Sequence, residues 1–408
     1  MGKKAFILLI VLLLISSLFA SDSFDDAKDE IWKAYVAKAL ADETLNRETE
    51  AKEMVFGNAK MRYWVTVKGE MPDNGYPLYI AMHGGGSSDT PDVNDEQWEM
   101  MKEYYSYSLD CGVYVAVRGV RDTWDTHFNP ESYPLYDRLI TYMILTENVD
   151  PNRVYLMGFS AGGDGVYAIG TRMADRFAAL NMSSGHPNGV SLVNLANLPI
   201  QLQAGEDDTA FERNTMTAKY GILLDTLAEK YTGLYIHRTL IHYGDGHNYD
   251  DYEPVPIPVM SNPRAWLEKG DRSHTSVNSY PPDWMENYTR NPLPNTVIWD
   301  LGTRAEMRSV TSFYWLRAPL TSKGTIIVSY SKNDNSITIE TYGLVGDFSI
   351  LLNSDMVDLS KPVIFKVGGK TVTKKLNQDR KLLEETAAER GDPNYMFEAE
   401  VKYSDLIK

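Results

Sequence analysis

The sequence predicts an α/β protein: a mostly parallel sheet with helices on both faces, followed by a small all-β unit, expected to be a sandwich. Three observations carry this reading. Short apolar strands alternate with helical stretches from about Lys60 to His247, which is how parallel strands covered on both faces are written. One strand, Arg153–Met157, runs directly into Gly158-Phe159-Ser160-Ala161-Gly162, and a helix starts at Ala161. Beyond about Asp271 the segments instead alternate, rich in Thr, Ile, Val and Tyr with turns between them.

Taken in order, Lys3 and Lys4 precede an apolar run, Ala5–Ile15, and a small-residue stretch ending at Ala20. That three-part layout predicts a secretory signal over residues 1–20, and the apolar run is too short for a good membrane span. The expected location is therefore secreted or periplasmic. Asp22 to about Met54 carries apolar residues at helical spacing. Strands are expected at Lys60–Val67, Tyr76–Met82, Gly112–Val117, Arg153–Met157, Phe177–Met182, Leu198–Ala204 and Leu234–Ile241. Helices are expected between them at Asp95–Leu109, Tyr133–Glu147, Ala161–Arg176 and Phe211–Tyr231. A Pro/Asn-rich connection, Ser279–Pro294, leads to β-segments at Asn295–Leu301, Ser312–Leu316, Gly324–Tyr330, Ser336–Tyr342 and Val363–Val367. The charged stretch Asp379–Arg390 reads as a solvated helix or excursion. The expected domains are a catalytic unit over 21–275 and a β-rich accessory unit over 276–408.

Composition narrows the function. The 408 residues hold 56 acidic and 40 basic side chains, a net charge of −16, which repels phosphate backbones and excludes electrostatically driven nucleic-acid binding. An apolar share of 43% is enough for a buried core. The single cysteine, Cys111, forms no intramolecular disulfide and no cysteine-based metal site. No cofactor and no metal are expected.

The chemistry centres on Ser160. In a strand–elbow–helix turn its hydroxyl is lifted above the sheet, and the helix N-terminus offers N–H groups to a developing negative charge. A serine hydroxyl needs an adjacent base. Of the seven histidines, His247 in Gly244-Asp245-Gly246-His247-Asn248 follows a late strand and is best placed to reach Ser160; His186 is the reserve. A carboxylate must hold the imidazole, and any of Glu206, Asp207 and Asp208, after the strand Leu198–Ala204, qualifies. The order Ser160, Asp208, His247 is the Ser–acid–His order of one fold type. His83-Gly84-Gly85-Gly86 follows the strand Tyr76–Met82, where Gly85 and Gly86, with Ala161, are expected to make an oxyanion hole. His83, Arg121 and Trp124 are candidate substrate contacts.

These residues carry a resemblance. MHGGG at 82–86, GFSAGG at 158–163, AGEDD at 204–208, GDGHN at 244–248 and RMADRFAAL at 172–180 make the stretch from about Lys60 to Arg272 similar to secreted α/β-hydrolase fold esterases. The group comprises polyhydroxybutyrate depolymerases, feruloyl esterases and acetyl xylan esterases, with predicted peptidases beside them. The resemblance implies Ser160 as nucleophile, His247 as base, Asp208 as acid with Asp207 one step out of register, and Gly85, Gly86 and Ala161 as the oxyanion loop. It departs from the pattern in lacking disulfides and in its paired aspartates. The implied activity is hydrolysis of carboxylic esters, on polymer- or carbohydrate-linked substrates. Two alternatives stand beside it: a serine peptidase on the same scaffold, and a catalytically dead scaffold that binds polysaccharide. No nucleic acid and, after signal cleavage, no membrane is expected as partner; the oligomeric state is left open.

Overall fold

The structure, a computed structural model, describes residues 24–87, 89–270, 272–302 and 311–408; the signal reading of residues 1–20 lies outside them. Among the described residues no helix is long and apolar enough to cross a membrane.

Ten strands build the main sheet: β1 (Glu53–Phe56), β2 (Ala59–Lys68), β3 (Tyr76–Met82), β4 (Gly112–Val117), β5 (Val149–Phe159), β6 (Ala179–Ser183), β7 (Ile200–Gly205), β8 (His237–His242), β9 (Pro256–Met260) and β10 (Thr275–Asn278). Their spatial order is β1-β2-β4-β3-β5-β6-β7-β8-β9-β10. From β4 through β8 each strand runs parallel to its neighbour; β2 joins β4 antiparallel, and β9 and β10 close the far edge antiparallel. The helices are α1 (Phe24–Leu40), α2 (Glu43–Ala51), α3 (Pro91–Tyr104), α4 (Ser132–Thr146), α5 (Ala161–Arg172), α6 (Arg213–Lys230), α7 (Pro263–Leu267), α8 (Pro281–Met285) and α9 (Arg380–Arg390).

Strands β3 and β4 are apolar on both faces because both faces are covered. Leu78, Ile80 and Met82 of β3 enter one core with Leu135 and Leu139 of α4 and Val166 and Ile169 of α5. Tyr79 and Ala81, pointing the other way, enter a second core with Trp98 and Met101 of α3 and Met285 of α8.

Several sequence expectations are corrected. The single helix over Asp22–Met54 is two helices and the start of β1. Asp42 caps α2, its carboxylate accepting from the Thr44 and Leu45 N–H groups, and Lys52 ends it in a left-handed conformation. Strands β9 and β10 were not expected; Pro256 and Pro258 blur the strand signal there, a residue type tolerated at sheet edges.

The described residues of the β-rich part form two sheets. β11 (Thr296–Asp300), β14 (Lys323–Ser331), β15 (Ser336–Val345), β17 (Val363–Val367) and β18 (Lys370–Lys374) form the first. β12 (Ser312–Phe313), β13 (Leu316–Arg317), β16 (Ser349–Leu352) and β19 (Ala399–Lys402) form the second. The expected strand Ser312–Leu316 is a tight hairpin, with Tyr314 left-handed at its turn. Apolar residues of the two sheets, such as Val328, Ile337, Leu316 and Ile350, share a core that continues without a break into Leu195, Leu198 and Ile200 of the α/β part.

Asp379–Arg390 is not simply solvated. Helix α9 buries Leu382, Leu383 and Ala387, two of them packed with Ala27 and Ile31 of α1. Its last residue, Arg390, is ion-paired with the buried Asp175, three residues beyond the end of α5. Beside them Asp392 takes Arg290 at 2.7 Å and Arg176 at 3.5 Å. Burial pushes the Asp392 carboxyl up, but the two guanidiniums outweigh it and hold it below the usual range.

Candidate active site

Ser160 sits between β5 and α5 with φ 57° and ψ −118°, a conformation that side chains rarely adopt. The flanking glycines make the turn possible. A Cβ on Gly158 would lie 2.3 Å from the Gly162 carbonyl oxygen, and one on Gly162 would lie 2.1 Å from that of Met82. The Ser160 N–H donates to the Ser183 carbonyl at 2.9 Å, which ties the elbow to the end of β6.

The loop after β8 brings His247 to the elbow. His247 Nε2 is 3.1 Å from Ser160 Oγ, and Nδ1 is 2.9 Å from Asp208 Oδ2. With Nδ1–H donating to the carboxylate, Nε2 is left to accept from the serine hydroxyl. Asp208 is 2% exposed, and its second oxygen faces the Arg213 guanidinium at 3.6 Å. Asp207 is exposed and holds its loop through its backbone, its N–H donating to the Asp245 carbonyl at 2.8 Å. Glu206 is turned to Arg272 and Trp266. Of the three acids, only Asp208 meets the imidazole. His186, the reserve, instead bonds through its N–H to Asp164 and through its ring to Asn188.

The Gly84–Gly86 loop packs on the elbow: a Cβ on Gly84 would stand 3.2 Å from Ser160 Cβ. One sequence expectation fails here. The Gly86 N–H donates to the buried Asn94 Oδ1 at 2.6 Å, so it is not free for an oxyanion. Ala161, as the first residue of α5, has no intrahelical acceptor for its N–H. Among the described residues the Gly85 N–H meets no acceptor.

His83 is corrected too. It is wholly buried, so it touches no substrate. Its Nδ1–H donates to the Gly84 carbonyl and its Nε2 accepts from the Gly119 N–H at 3.0 Å. Burial lowers its pKa to about 4. It ties the glycine loop to the loop after β4, and His127 below it donates to the His83 carbonyl at 2.9 Å. Trp124, in that second loop, is 58% exposed beside Gly86. Arg121 is paired with Glu131 at 2.5 Å.

Sequence reasoning missed Asn94, which anchors Gly86, and Ser184, whose hydroxyl donates to the His247 carbonyl at 3.0 Å. It also missed Asp251, wholly buried four residues after His247. A signal existed in the strands: Asn181-Met182-Ser183 and Gln201-Leu202-Gln203 place polar residues at every second position of buried segments.

A parallel sheet in this strand order, an antiparallel second strand, and a serine on a strained elbow after β5 define an α/β-hydrolase fold. No family model matches the chain. Among curated proteins it is 29% identical over 112 residues to a bifunctional acetylxylan esterase/xylanase of Neocallimastix patriciarum; the match takes in 28% of this chain and 16% of that one. Similar solved structures include a thermostable esterase (20% identity, 58% of this chain and 62% of that one, TM-score 0.39). Others are a poly(3-hydroxybutyrate) depolymerase from Bordetella parapertussis (16%, 51% and 90%, 0.39) and the feruloyl esterase module of Clostridium thermocellum (14%, 48% and 80%, 0.33).

Proposed function

We propose that the chain is a serine hydrolase of carboxylic esters, acting outside the cytoplasm on carbohydrate- or polymer-linked acyl groups. The observation that carries this reading is His247 held between Ser160 Oγ at 3.1 Å and Asp208 at 2.9 Å. In the proposed reaction Ser160 Oγ attacks the ester carbonyl and His247 Nε2 takes its proton. The tetrahedral oxyanion is met by the N–H groups of Ala161 and Gly85. His247 then protonates the leaving alcohol, the C–O bond breaks, and an acyl-serine remains. Water, deprotonated by His247, attacks the acyl carbon, and Ser160 leaves with its proton restored. Asp208 holds the imidazole in the tautomer this requires and stabilises the imidazolium.

The surroundings support an uncharged substrate. Asp207, Asp245, Asp250 and Glu253 lie on the acid loop or the His247 loop with at least partial exposure, and the whole chain carries −16. The 112-residue likeness to an acetylxylan esterase/xylanase supports an acylated sugar polymer, and the signal read over residues 1–20 supports its encounter outside the cytoplasm.

The test is turnover of p-nitrophenyl acetate, acetylated xylo-oligosaccharides and a peptide p-nitroanilide by wild type and Ser160→Ala. Both esters are expected to be hydrolysed in preference to the anilide, and Ser160→Ala is expected to lose more than about 10⁴-fold in kcat with its melting temperature retained. Equal turnover in the variant would reject the reading.

A further inference from the structure

We propose that Asp251 is a positioning residue: the anionic end of a buried hydrogen-bonded chain, Arg238–Gln201–Asn181–Ser183–Asp251, that seats the His247 loop against the nucleophile's strand. The inference rests on the serine-hydrolase reading above for its effect on rate, but not for the seat itself.

The chain runs across one face of the sheet where an apolar layer is expected. Asn181, Ser183, Gln201, Gln203, His242 and Asp251 are all wholly buried. Their hydrogen bonds share one direction. The Gln201 and Gln203 amides donate to Asn181 Oδ1 at 2.7 and 2.8 Å. Asn181 Nδ2 donates to Ser183 Oγ at 2.9 Å, and Ser183 Oγ donates to Asp251 Oδ2. At the far end the Arg238 guanidinium donates to Gln201 Oε1. A cation thus begins the chain and a carboxylate ends it, and each donor polarises the next. Two further hydroxyls, of Tyr104 at 2.9 Å and Tyr105 at 3.2 Å, converge on Asp251 from α3 and the residue after it. All three groups meeting the carboxylate are neutral O–H donors, which an amide at this position cannot accept from equally well.

The near end of this chain touches both halves of the site. Ser183 gives its carbonyl to the Ser160 N–H and its hydroxyl to Asp251. Its neighbour Ser184, held left-handed at φ 50°, gives its hydroxyl to the His247 carbonyl. Between His247 and Asp251, the Tyr249 ring stacks on the His242 ring at 3.8 Å, and His242 Nε2 lies 2.9 Å from Gln203 Oε1 of the same layer. The loop carrying the base is therefore fixed at two points, His247 C=O and Asp251, to the strand end that fixes the nucleophile, and at a third, Tyr249, to β8 through His242. An unpartnered buried carboxylate there would be costly, and a satisfied one rigidifies. Misplacement of a catalytic group by as little as 1 Å is enough to lower rates steeply.

The experiment uses the full chain with p-nitrophenyl acetate, active sites counted by fluorophosphonate, and the variants Asp251→Asn, Ser183→Ala and both together. Each single variant is expected to lower kcat per active site between about 10- and 100-fold with KM within about two-fold. The double variant is expected to lose no more than the worse single, since both break one hydrogen bond. Unchanged kcat per active site, with only a lowered melting temperature, or fully additive losses, would overturn the proposal. Hydrogen exchange gives a readout independent of turnover. Asp251→Asn, or Ser183→Ala where the first does not fold, is expected to raise deuterium uptake across 244–253 but not across 296–300. Unchanged uptake over 244–253 overturns the seat, whereas a wild type that turns over no ester overturns only the hydrolase reading.

Discussion

Asp207 and Asp208 are adjacent in the chain but meet different surroundings, and the difference is chemical. Asp208 is buried against His247 Nδ1, whereas Asp207 is exposed at the loop tip. Asp208→Asn is expected to lower kcat by about 10³- to 10⁴-fold, because an amide stabilises the wrong imidazole tautomer, while Asp207→Asn stays within about two-fold. Steady-state kinetics on an activated ester checks the pair. His83 supplies a pH dependence. Its pKa falls to about 4 in the fold against about 6.5 in an unfolded chain. The neutral form is the one the fold holds, so its contribution is present above about pH 6.5 and is lost as pH falls toward 4. The size is on the order of 3 kcal/mol. His83→Gln is expected to flatten the fall in denaturant midpoint between pH 6.5 and 4.5. An unchanged slope would show that the buried His127 and His242 carry it instead. Single residues were legible where backbone chemistry leaves a mark, as in Gly158-x-Ser160-x-Gly162. The Gly86 N–H was misassigned because its acceptor, Asn94, comes from another element and has no fixed spacing to it.

At the scale of elements, the α/β alternation could be read from Lys60 to His247 because strands covered on both faces are short and continuously apolar. β3 and β4 fall at the expected residues, and most other strand ends shift by one to four. The elements missed lack such periodicity. β9 carries two prolines, and β12 and β13 are two residues each; α9 was expected as a solvated helix or excursion, and its charged sequence hides a buried side of Leu382, Leu383, Thr386, Ala387 and Arg390. The polar layer on β6 and β7 was visible as alternate polar residues in buried strands, but its partner Asp251 lies on a loop. The α9 junction yields its own prediction. Arg390 reaches Asp175, both in the interior. Arg390→Ala leaves a carboxylate unpaired there and is expected to cost about 3–5 kcal/mol. Urea denaturation with unchanged m-value is the measurement; a loss under about 1 kcal/mol would mean that water or Arg290 takes over the pairing.

Over the whole molecule, the apolar core runs from β3 and α5 through Leu195 and Ile200 into Val328, Ile337 and Leu352 of the β-rich sheets. The site lies at the carboxyl ends of β5, β7 and β8, and its members come from positions 160, 208 and 247, brought together by the parallel sheet. Tertiary structure thus converts three distant motifs into one hydrogen-bonded line. On the proposed reading this line activates Ser160, and reaction of the full chain with a fluorophosphonate probes that activation. Mass spectrometry is expected to find one adduct per chain, on Ser160 within the tryptic peptide 154–172, formed in wild type and absent from Ser160→Ala. A wild type that takes no adduct at Ser160, or a Ser160→Ala variant that is labelled equally, would contradict the account.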